Sequence, residues 1–190
     1  MFKSRIPLQT PIIIKLLLSL ALATFFAGWF FSSEASSQES PPKDSSIAVR
    51  SKLKSNQTNK ELIQIAKLTH QKVNNHRASL NLVPLKFDAF VSEQAKAHSL
   101  NMAQQIVEFS HDGFQGRADA LKGIISYSSV AENEAYNMGY QDPVSTAVKG
   151  WIKSNGHRKN IEGNYNLTGI GVAINPDGEY YFTQIFILEN

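Results

Sequence analysis

The chain of 190 residues contains no cysteine. That absence excludes disulfide bonds, on which many small exported domains depend for stability, and it excludes a lipid anchor of the kind attached to an N-terminal cysteine. The folded part must therefore be held together by its hydrophobic core, alone or with the help of a bound metal ion.

A marked excess of positive charge is also lacking once the N-terminal segment is set aside. Residues 1–35 carry three basic side chains and one acidic one, so the rest of the chain holds 16 basic and 15 acidic side chains. The sequence there has no stripe of lysine and arginine interleaved with aromatic residues, which is the usual mark of a nucleic-acid interface. No nucleic-acid partner is therefore expected.

Two common catalytic patterns are incomplete. Ser110 precedes His111 and Asp112, but no strand-to-helix turn of the nucleophile-elbow type surrounds them. Gly169 and Gly171 lack the third glycine and the following helix of a phosphate-binding loop. A serine hydrolase and a nucleotide-binding protein are both disfavoured.

The chain begins with the pattern of an export signal. Three basic residues precede or border an uncharged run of sixteen residues over 16–31, and small residues follow at positions 33 and 35. A cationic start, an apolar run of this length and a small-residue exit are typical of a secretory signal peptide. The sequence predicts a signal peptide over residues 1–35 and a protein that is secreted, periplasmic or held in the cell envelope. The alternative is an uncleaved membrane anchor, for which the run is slightly short.

A polar segment separates this signal from the rest. Residues 36–57 are rich in serine and lysine, include Pro41 and Pro42, and contain few large apolar side chains. Such a segment cannot offset the entropy lost on ordering, so we predict a disordered tether. Residues 58–190 are then expected to form one domain, since about 130 residues are enough for one hydrophobic core.

Apolar periodicity within this domain predicts helices followed by a hairpin, over 58–79, 88–106, 142–156, 167–174 and 179–188. Residues 128–136 alternate loosely, which fits either a strand or an extended loop. Trp151 lies on the apolar stripe of its helix and is expected to be buried. Helices first and an antiparallel hairpin last indicate an α+β fold.

Three ionisable residues stand out because each is placed where a loop or strand end could present it: His111, Glu132 and His157. They are more than 20 residues apart, so only the fold could gather them. Two imidazoles and a carboxylate suit either the ligand shell of a divalent metal ion or an acid–base set. The alternative is a hydrogen-bonded polar cluster without metal. His98 falls in the middle of a predicted helix, where a packing role with a hydrogen-bonded partner is expected rather than a catalytic one.

Seven short motifs occur in order over about 120 residues, at 75–77 with 82–85, 97–103, 110–114, 131–133, 151–158, 169–172 and 181–186. In this order they resemble the bacterial form of the CAP superfamily, which comprises cysteine-rich secretory proteins, antigen 5 and pathogenesis-related 1. The resemblance implies a three-layer α-β-α sandwich with a central, largely antiparallel sheet and a large cavity. It also implies a secreted protein.

The resemblance further implies a site, because many relatives carry two histidines and two glutamates that can hold zinc. His111 and Glu132 match the first histidine and the first glutamate, whereas Ser154 and Tyr181 stand at the other two positions. His157 and Arg158 belong to the bacterial pattern and are expected to replace the missing groups. The predicted metal ligands are His111, Glu132 and His157. The predicted cavity lining is His111, Glu132, Ser154, His157, Arg158 and Tyr181.

Two classes of function stay open. The first is a secreted binding module whose cavity accepts an apolar or glycan-like ligand, such as a lipid, a sterol-like molecule or a component of the cell envelope, with or without a divalent metal ion. The second is a metal-assisted hydrolase with Glu132 as its base. The sequence favours the first and predicts no enzyme, because half of the histidine–glutamate set is absent.

We expect the exported protein to have lost about its first 35 residues, because a signal peptidase cuts after small residues that follow an apolar run. Intact-mass measurement of the protein recovered outside the cytoplasm checks this. An intact Met1 on protein that stays in the membrane fraction would support the anchor instead.

Overall fold

The computed structural model describes residues 43–190, with side chains from Ile47 onward. The predicted signal peptide over 1–35 and the first residues of the predicted tether lie outside the described residues. Within the described part, every helix is too short or too polar to cross a membrane.

Five helices and four strands make up this part of the chain. The helices are α1 (Lys43–Ser79), α2 (Ala89–Ala103), α3 (Phe114–Lys122), α4 (Pro143–Lys153) and α5 (Asn155–Glu162), and the strands are β1 (Lys86–Phe87), β2 (Tyr127–Asn137), β3 (Leu167–Ile174) and β4 (Tyr180–Glu189). The predicted helices and the hairpin are present, and the ambiguous segment 128–136 is part of strand β2. The α+β prediction is confirmed.

Local chemistry explains two of these elements. The Asp142 side chain accepts a hydrogen bond from the backbone N–H of Ser145 at 2.8 Å and so caps α4, with proline at its first position. In the β3–β4 turn, the Asn175 side chain accepts the backbone N–H groups of Asp177 and Glu179. Gly178 supplies the left-handed backbone there, with φ of 85°.

The four strands form one sheet in the order β1-β3-β4-β2. Strands β3 and β4 are antiparallel, β4 and β2 are antiparallel, and only the short β1 runs parallel to its neighbour β3. Strand β2 is therefore an edge strand. Its residues Glu132 and Glu134 pair with Ile185 and Thr183 of β4.

Helices cover both faces of the sheet. One face packs on α2 and α3 through Val91, Ala95, Leu121, Leu167, Ile185 and Ile187. The other packs on α1, α4 and α5 through Val73, Trp151, Ile161, Ile170, Phe182 and Phe186. These are the three layers expected for an α-β-α sandwich, and Trp151 is buried as predicted.

Helix α2 approaches the backbone of β3 unusually closely. A Cβ atom added at Gly171 would lie 2.0 Å from the backbone nitrogen of Lys96, and one added at Gly169 would lie 2.3 Å from that of Ser92. The Ser99 hydroxyl donates to the Gly171 carbonyl at 3.2 Å across the same contact. The two glycines therefore set the spacing between α2 and the sheet.

Helix α1 corrects the predicted tether. The tether was expected to extend to residue 57, but α1 already begins at Lys43, so residues 43–57 are helical. The sequence has no glycine or proline between Pro42 and Pro84 that would stop a helix. Its side chains at 47–57 are exposed, which is why their composition gave no amphipathic signal.

Replacing Gly171 with alanine should lower the free energy of unfolding by about 1–3 kcal/mol, because the new methyl group would overlap the backbone of α2. Gly150→Ala is the matched control, since nothing lies within 4 Å of a Cβ atom there. It should be neutral or stabilising by about 0.5–1 kcal/mol in its helix. Urea unfolding of both variants measures the difference, and equal stabilities would refute the close contact.

Candidate functional site

A charged cluster lies on one face of the edge strand β2. Residues two apart along a strand point to the same side, so Glu132 and Glu134 both face the layer that contains α2 and α3. His98 comes from α2, Arg117 from α3, and His111 from the loop between these helices. We call these five residues the charged cluster.

Glu134 is paired with His98. Nε2 of His98 lies 2.6 Å from Oε1 of Glu134 and 2.9 Å from the carbonyl oxygen of Ser110. A carbonyl oxygen only accepts hydrogen bonds, so Nε2 carries a hydrogen and donates. The two side chains are only 3% and 2% exposed.

The pKa directions agree with a hydrogen on Nε2 of His98. Burial alone lowers the pKa of His98, but the hydrogen bonds to Glu134 and to the Ser110 carbonyl outweigh it, so the pKa of His98 is raised overall. Burial, together with the neighbouring Glu132 carboxylate, raises the pKa of Glu134. Both shifts favour a proton shared between the two side chains.

Glu132 is held by Arg117. Nε of Arg117 donates to Oε2 at 2.8 Å, and Nη2 donates to Oε1 at 2.6 Å. This is the bidentate geometry in which a guanidinium binds a carboxylate most strongly. Nδ1 of His111 lies 3.1 Å from the same Oε1. The His111 side chain is 51% exposed, whereas that of Glu132 is 2% exposed, so His111 forms the solvent side of the cluster.

Three members of the cluster could hold a metal ion. Each of His98, Glu132 and Glu134 offers one ligand atom, and these three atoms lie within 4.8 Å of one another. Imidazole and carboxylate groups are suitable donors for a divalent ion. This group shares only Glu132 with the predicted metal ligands His111, Glu132 and His157.

His157 lies beside the cluster. Its ring centroid is 6.3 Å from that of His111. Burial and, to a smaller degree, the charge of His111 lower the pKa of His157. Its backbone carbonyl accepts a hydrogen bond from the Asn133 side chain at 2.9 Å, and Asn133 also accepts one from Asn160. These bonds fasten α5 to β2 from the other face of the sheet.

The remaining predicted residues have other partners. Arg158 donates to the Ile152 carbonyl and to the Asn155 side chain, where α4 meets α5. Ser154 is the residue between these two helices. Tyr181 donates to Glu179 at 2.9 Å and stacks on Tyr136 at 6.1 Å between centroids. The arginine that pairs with Glu132 is Arg117.

Sequence reasoning missed Glu134 and Arg117. It expected His98 to be packed and hydrogen-bonded, as the structure has it, but did not name Glu134 as its partner. The signal for Glu134 was its spacing from Glu132, which places both carboxylates on one face once the segment is taken as a strand. The sequence carries no comparable signal for Arg117, because its contact with Glu132 depends on where α3 lies.

A second feature is a groove between α1 and α2 over strand β3, which we call the α1–α2 groove. Two cavities of about 220 and 500 Å³ form it. They are adjacent, since both are lined by Asn59, Leu62, Lys96 and Val172. Other apolar wall residues are Ile63, Ala66, Phe87, Leu100 and Ile170, and Lys54 and Lys67 also line it. The groove shares no lining residue with the predicted cavity.

The family model of the cysteine-rich secretory protein family (CAP) matches residues 70–186. The chain is 38% identical over 117 residues to the uncharacterized protein YkwD of Bacillus subtilis, and 37% identical over 114 residues to the uncharacterized membrane protein YlbC of the same organism. These matches cover 60% and 58% of this chain, but 43% and 31% of the relatives. The chain therefore spans less than half the length of the curated relatives it matches.

Two solved bacterial structures have a similar fold. A cysteine-rich secretory protein from Staphylococcus aureus is 25% identical with a TM-score of 0.53, and the match covers 67% of this chain and 39% of that one. An extracellular protein containing an SCP domain from Bacillus anthracis is 30% identical with a TM-score of 0.50, covering 68% and 40%.

Replacing His98 with alanine should lower the free energy of unfolding by about 3 kcal/mol, because it leaves the buried Glu134 carboxyl group without its partner. His111→Ala is the comparison, and its half-exposed side chain should cost less than about 1 kcal/mol. Chemical denaturation at neutral pH gives both values. A larger loss for His111 than for His98 would contradict the assigned roles.

Proposed function

The chain belongs to the cysteine-rich secretory protein family in its bacterial form, as its motifs predict, and we propose that it is a binding module that takes an apolar ligand in the α1–α2 groove. The observation that carries the proposal is the groove itself, a mostly apolar space beside the sheet made of two adjacent cavities. Because the chain matches only part of its relatives, an activity of a longer protein is outside the proposal.

The size and lining of the groove suit one apolar chain. Ligand pockets usually enclose about 300–1,000 Å³. The combined volume of the two adjacent cavities falls in this range. Most of the wall surface is apolar, which favours transfer of an apolar group out of water. A glycan has less support here, since it would need many hydrogen-bonding partners along these walls.

Lysines at the groove indicate the charge of the ligand's polar end. Nζ of Lys96 lies 3.2 Å from the Asn59 side chain and 3.9 Å from Glu93, so it is placed at the junction of the two cavities. Lys54 and Lys67 line the outer parts. We propose a single-chain amphiphile with an anionic head group, such as a fatty acid.

A metal-assisted hydrolase with zinc and Glu132 as base has less support. A general base needs a carboxylate oxygen within reach of the substrate. Both oxygens of Glu132 accept hydrogen bonds from Arg117, and the side chain is almost completely buried. The cluster therefore supports a structural role better than a catalytic one.

We further propose that the protein works outside the cytoplasm, in the cell envelope or beyond it. The export signal predicted from the sequence supports this, and the Bacillus anthracis neighbour is described as extracellular. An apolar ligand in the cell envelope would be within reach of such a protein.

Binding of the fluorescent fatty acid 11-(dansylamino)undecanoic acid tests the groove. Asn59→Trp should weaken binding at least about tenfold, since an exposed residue at the cavity junction is replaced by a large ring that fills it. The control is Asn75→Trp, which adds the same ring at another exposed position of α1. It should bind as the parent does.

Both variants must first show the parent's circular dichroism and melting temperature. No increase in dansyl fluorescence with the parent protein would refute the proposal. Unchanged binding by Asn59→Trp would place the ligand elsewhere than in the groove.

A further inference from the structure

The guanidinium group of Arg117 lies close to both glutamates, with Nη2 at 2.6 Å from Oε1 of Glu132 and 3.9 Å from Oε1 of Glu134. We infer that Arg117 is the resident counterion of this cluster and that it takes the place of a divalent metal ion. The family resemblance and the donor set both suggest a metal here, but the contacts of the donor atoms do not fit one. The inference is independent of any ligand in the α1–α2 groove.

Both oxygens of the Glu132 carboxylate already accept hydrogen bonds from Arg117. Arg117 uses one N–H group for each oxygen, at 2.8 and 2.6 Å. A guanidinium group stays protonated in proteins, so it is a permanent positive charge with fixed geometry. Its Nη2 also lies 3.9 Å from Oε1 of Glu134. One cation thus already faces both carboxylates.

Arg117 would also repel a divalent ion bound to Glu132. A divalent ion bound at an ordinary distance of about 2 Å from Oε1 of Glu132 would lie within about 5 Å of Nη2 of Arg117. The two positive charges would meet in a site whose glutamates are 2% exposed, where water screens them poorly. The ion could bind only if Arg117 moved out.

His98 is likewise arranged as a hydrogen-bond donor. Its Nε2 donates toward the Ser110 carbonyl at 2.9 Å as well as toward Glu134 at 2.6 Å. A nitrogen that carries a hydrogen has no free lone pair for a metal. Ligation through this atom would leave the Ser110 carbonyl without its partner, so the imidazole is arranged as a donor to the protein.

The position of Arg117 is itself fixed by the chain. Nη1 donates to the Asp112 carbonyl at 2.9 Å, in the loop that leads into α3. Gly113 turns this loop with φ of 76°, and a Cβ atom there would lie 3.3 Å from Nη1. The guanidinium is therefore held from behind by the backbone while it binds Glu132 in front. Such support is expected for a built-in counterion.

Zinc uptake by protein without an affinity tag tests the inference. The parent and variants are dialysed against zinc sulfate, and bound zinc is measured by elemental mass spectrometry. The parent should retain no stoichiometric zinc, and its melting temperature should be the same with zinc or with a chelator. Arg117→Ala should gain about one zinc per chain and a melting temperature that zinc raises, because a ligand stabilises the native state it binds.

Three further variants make the result specific. Arg117→Lys keeps a cation and should gain no zinc. Arg158→Ala removes an arginine whose contacts are with Ile152 and Asn155, and it should also gain none. Arg117→Ala/Glu134→Gln should lose the zinc gained by the single variant, which would assign the new site to the cluster.

Stoichiometric zinc in the parent that disappears with Glu134→Gln would overturn the inference. So would a folded Arg117→Ala protein that gains no zinc. Arg117→Ala could be unfolded without metal, and recovery of its circular dichroism on addition of zinc would then support the inference. If it does not recover, the same zinc measurement is made on Arg117→Gln. If neither variant folds, the zinc content of the parent decides.

Discussion

The burial of two carboxyl groups side by side on strand β2 is the constraint that organises this half of the molecule. Glu132 and Glu134 are each 2% exposed, and a buried carboxylate is strongly unfavourable unless it is paired and hydrogen-bonded. Arg117 and His98 meet that need, and so they fix α3 and α2 against the sheet. The backbone carbonyls of the same two glutamates accept side-chain N–H groups of Asn160 and Trp151. The edge strand is thus fastened to helices on both faces, and two of its backbone carbonyls already have side-chain partners that another strand would have to displace.

The elements that sequence reasoning predicted are those governed by neighbours in the chain. Asp142 caps its own helix, Asn175 folds its own turn, and the apolar stripe that buries Trp151 repeats within a few residues. The family followed from the order of several motifs, although each motif is weak alone.

The parts that could not be predicted depend on distant contacts. Glu132 and Arg117 are 15 residues apart, and Glu134 and His98 are 36 apart, so neither pairing follows a local period. The pairing of Glu134 also required the segment 128–136 to be a strand, because only then do both glutamates share a face. The prediction of a disordered tether over 43–57 failed because of local composition rather than distant contacts. Residues 43–57 lack both helix breakers and an apolar stripe, and a low content of apolar residues favours disorder over helix when sequence alone is considered.

Helix α2 connects the charged cluster to the groove. His98 binds Glu134 from the helix, while Lys96, two residues earlier, lines both groove cavities. The contact at Gly171 fixes the distance of α2 from β3, and the His98–Glu134 pair fixes its approach to β2. The α2 wall is thus held at both contacts, and the facing wall is formed by residues 51–67 of α1. A closed, charge-balanced cluster and an open, mostly apolar groove are therefore two parts of one arrangement, in which buried polar contacts hold the α2 wall of the groove in place.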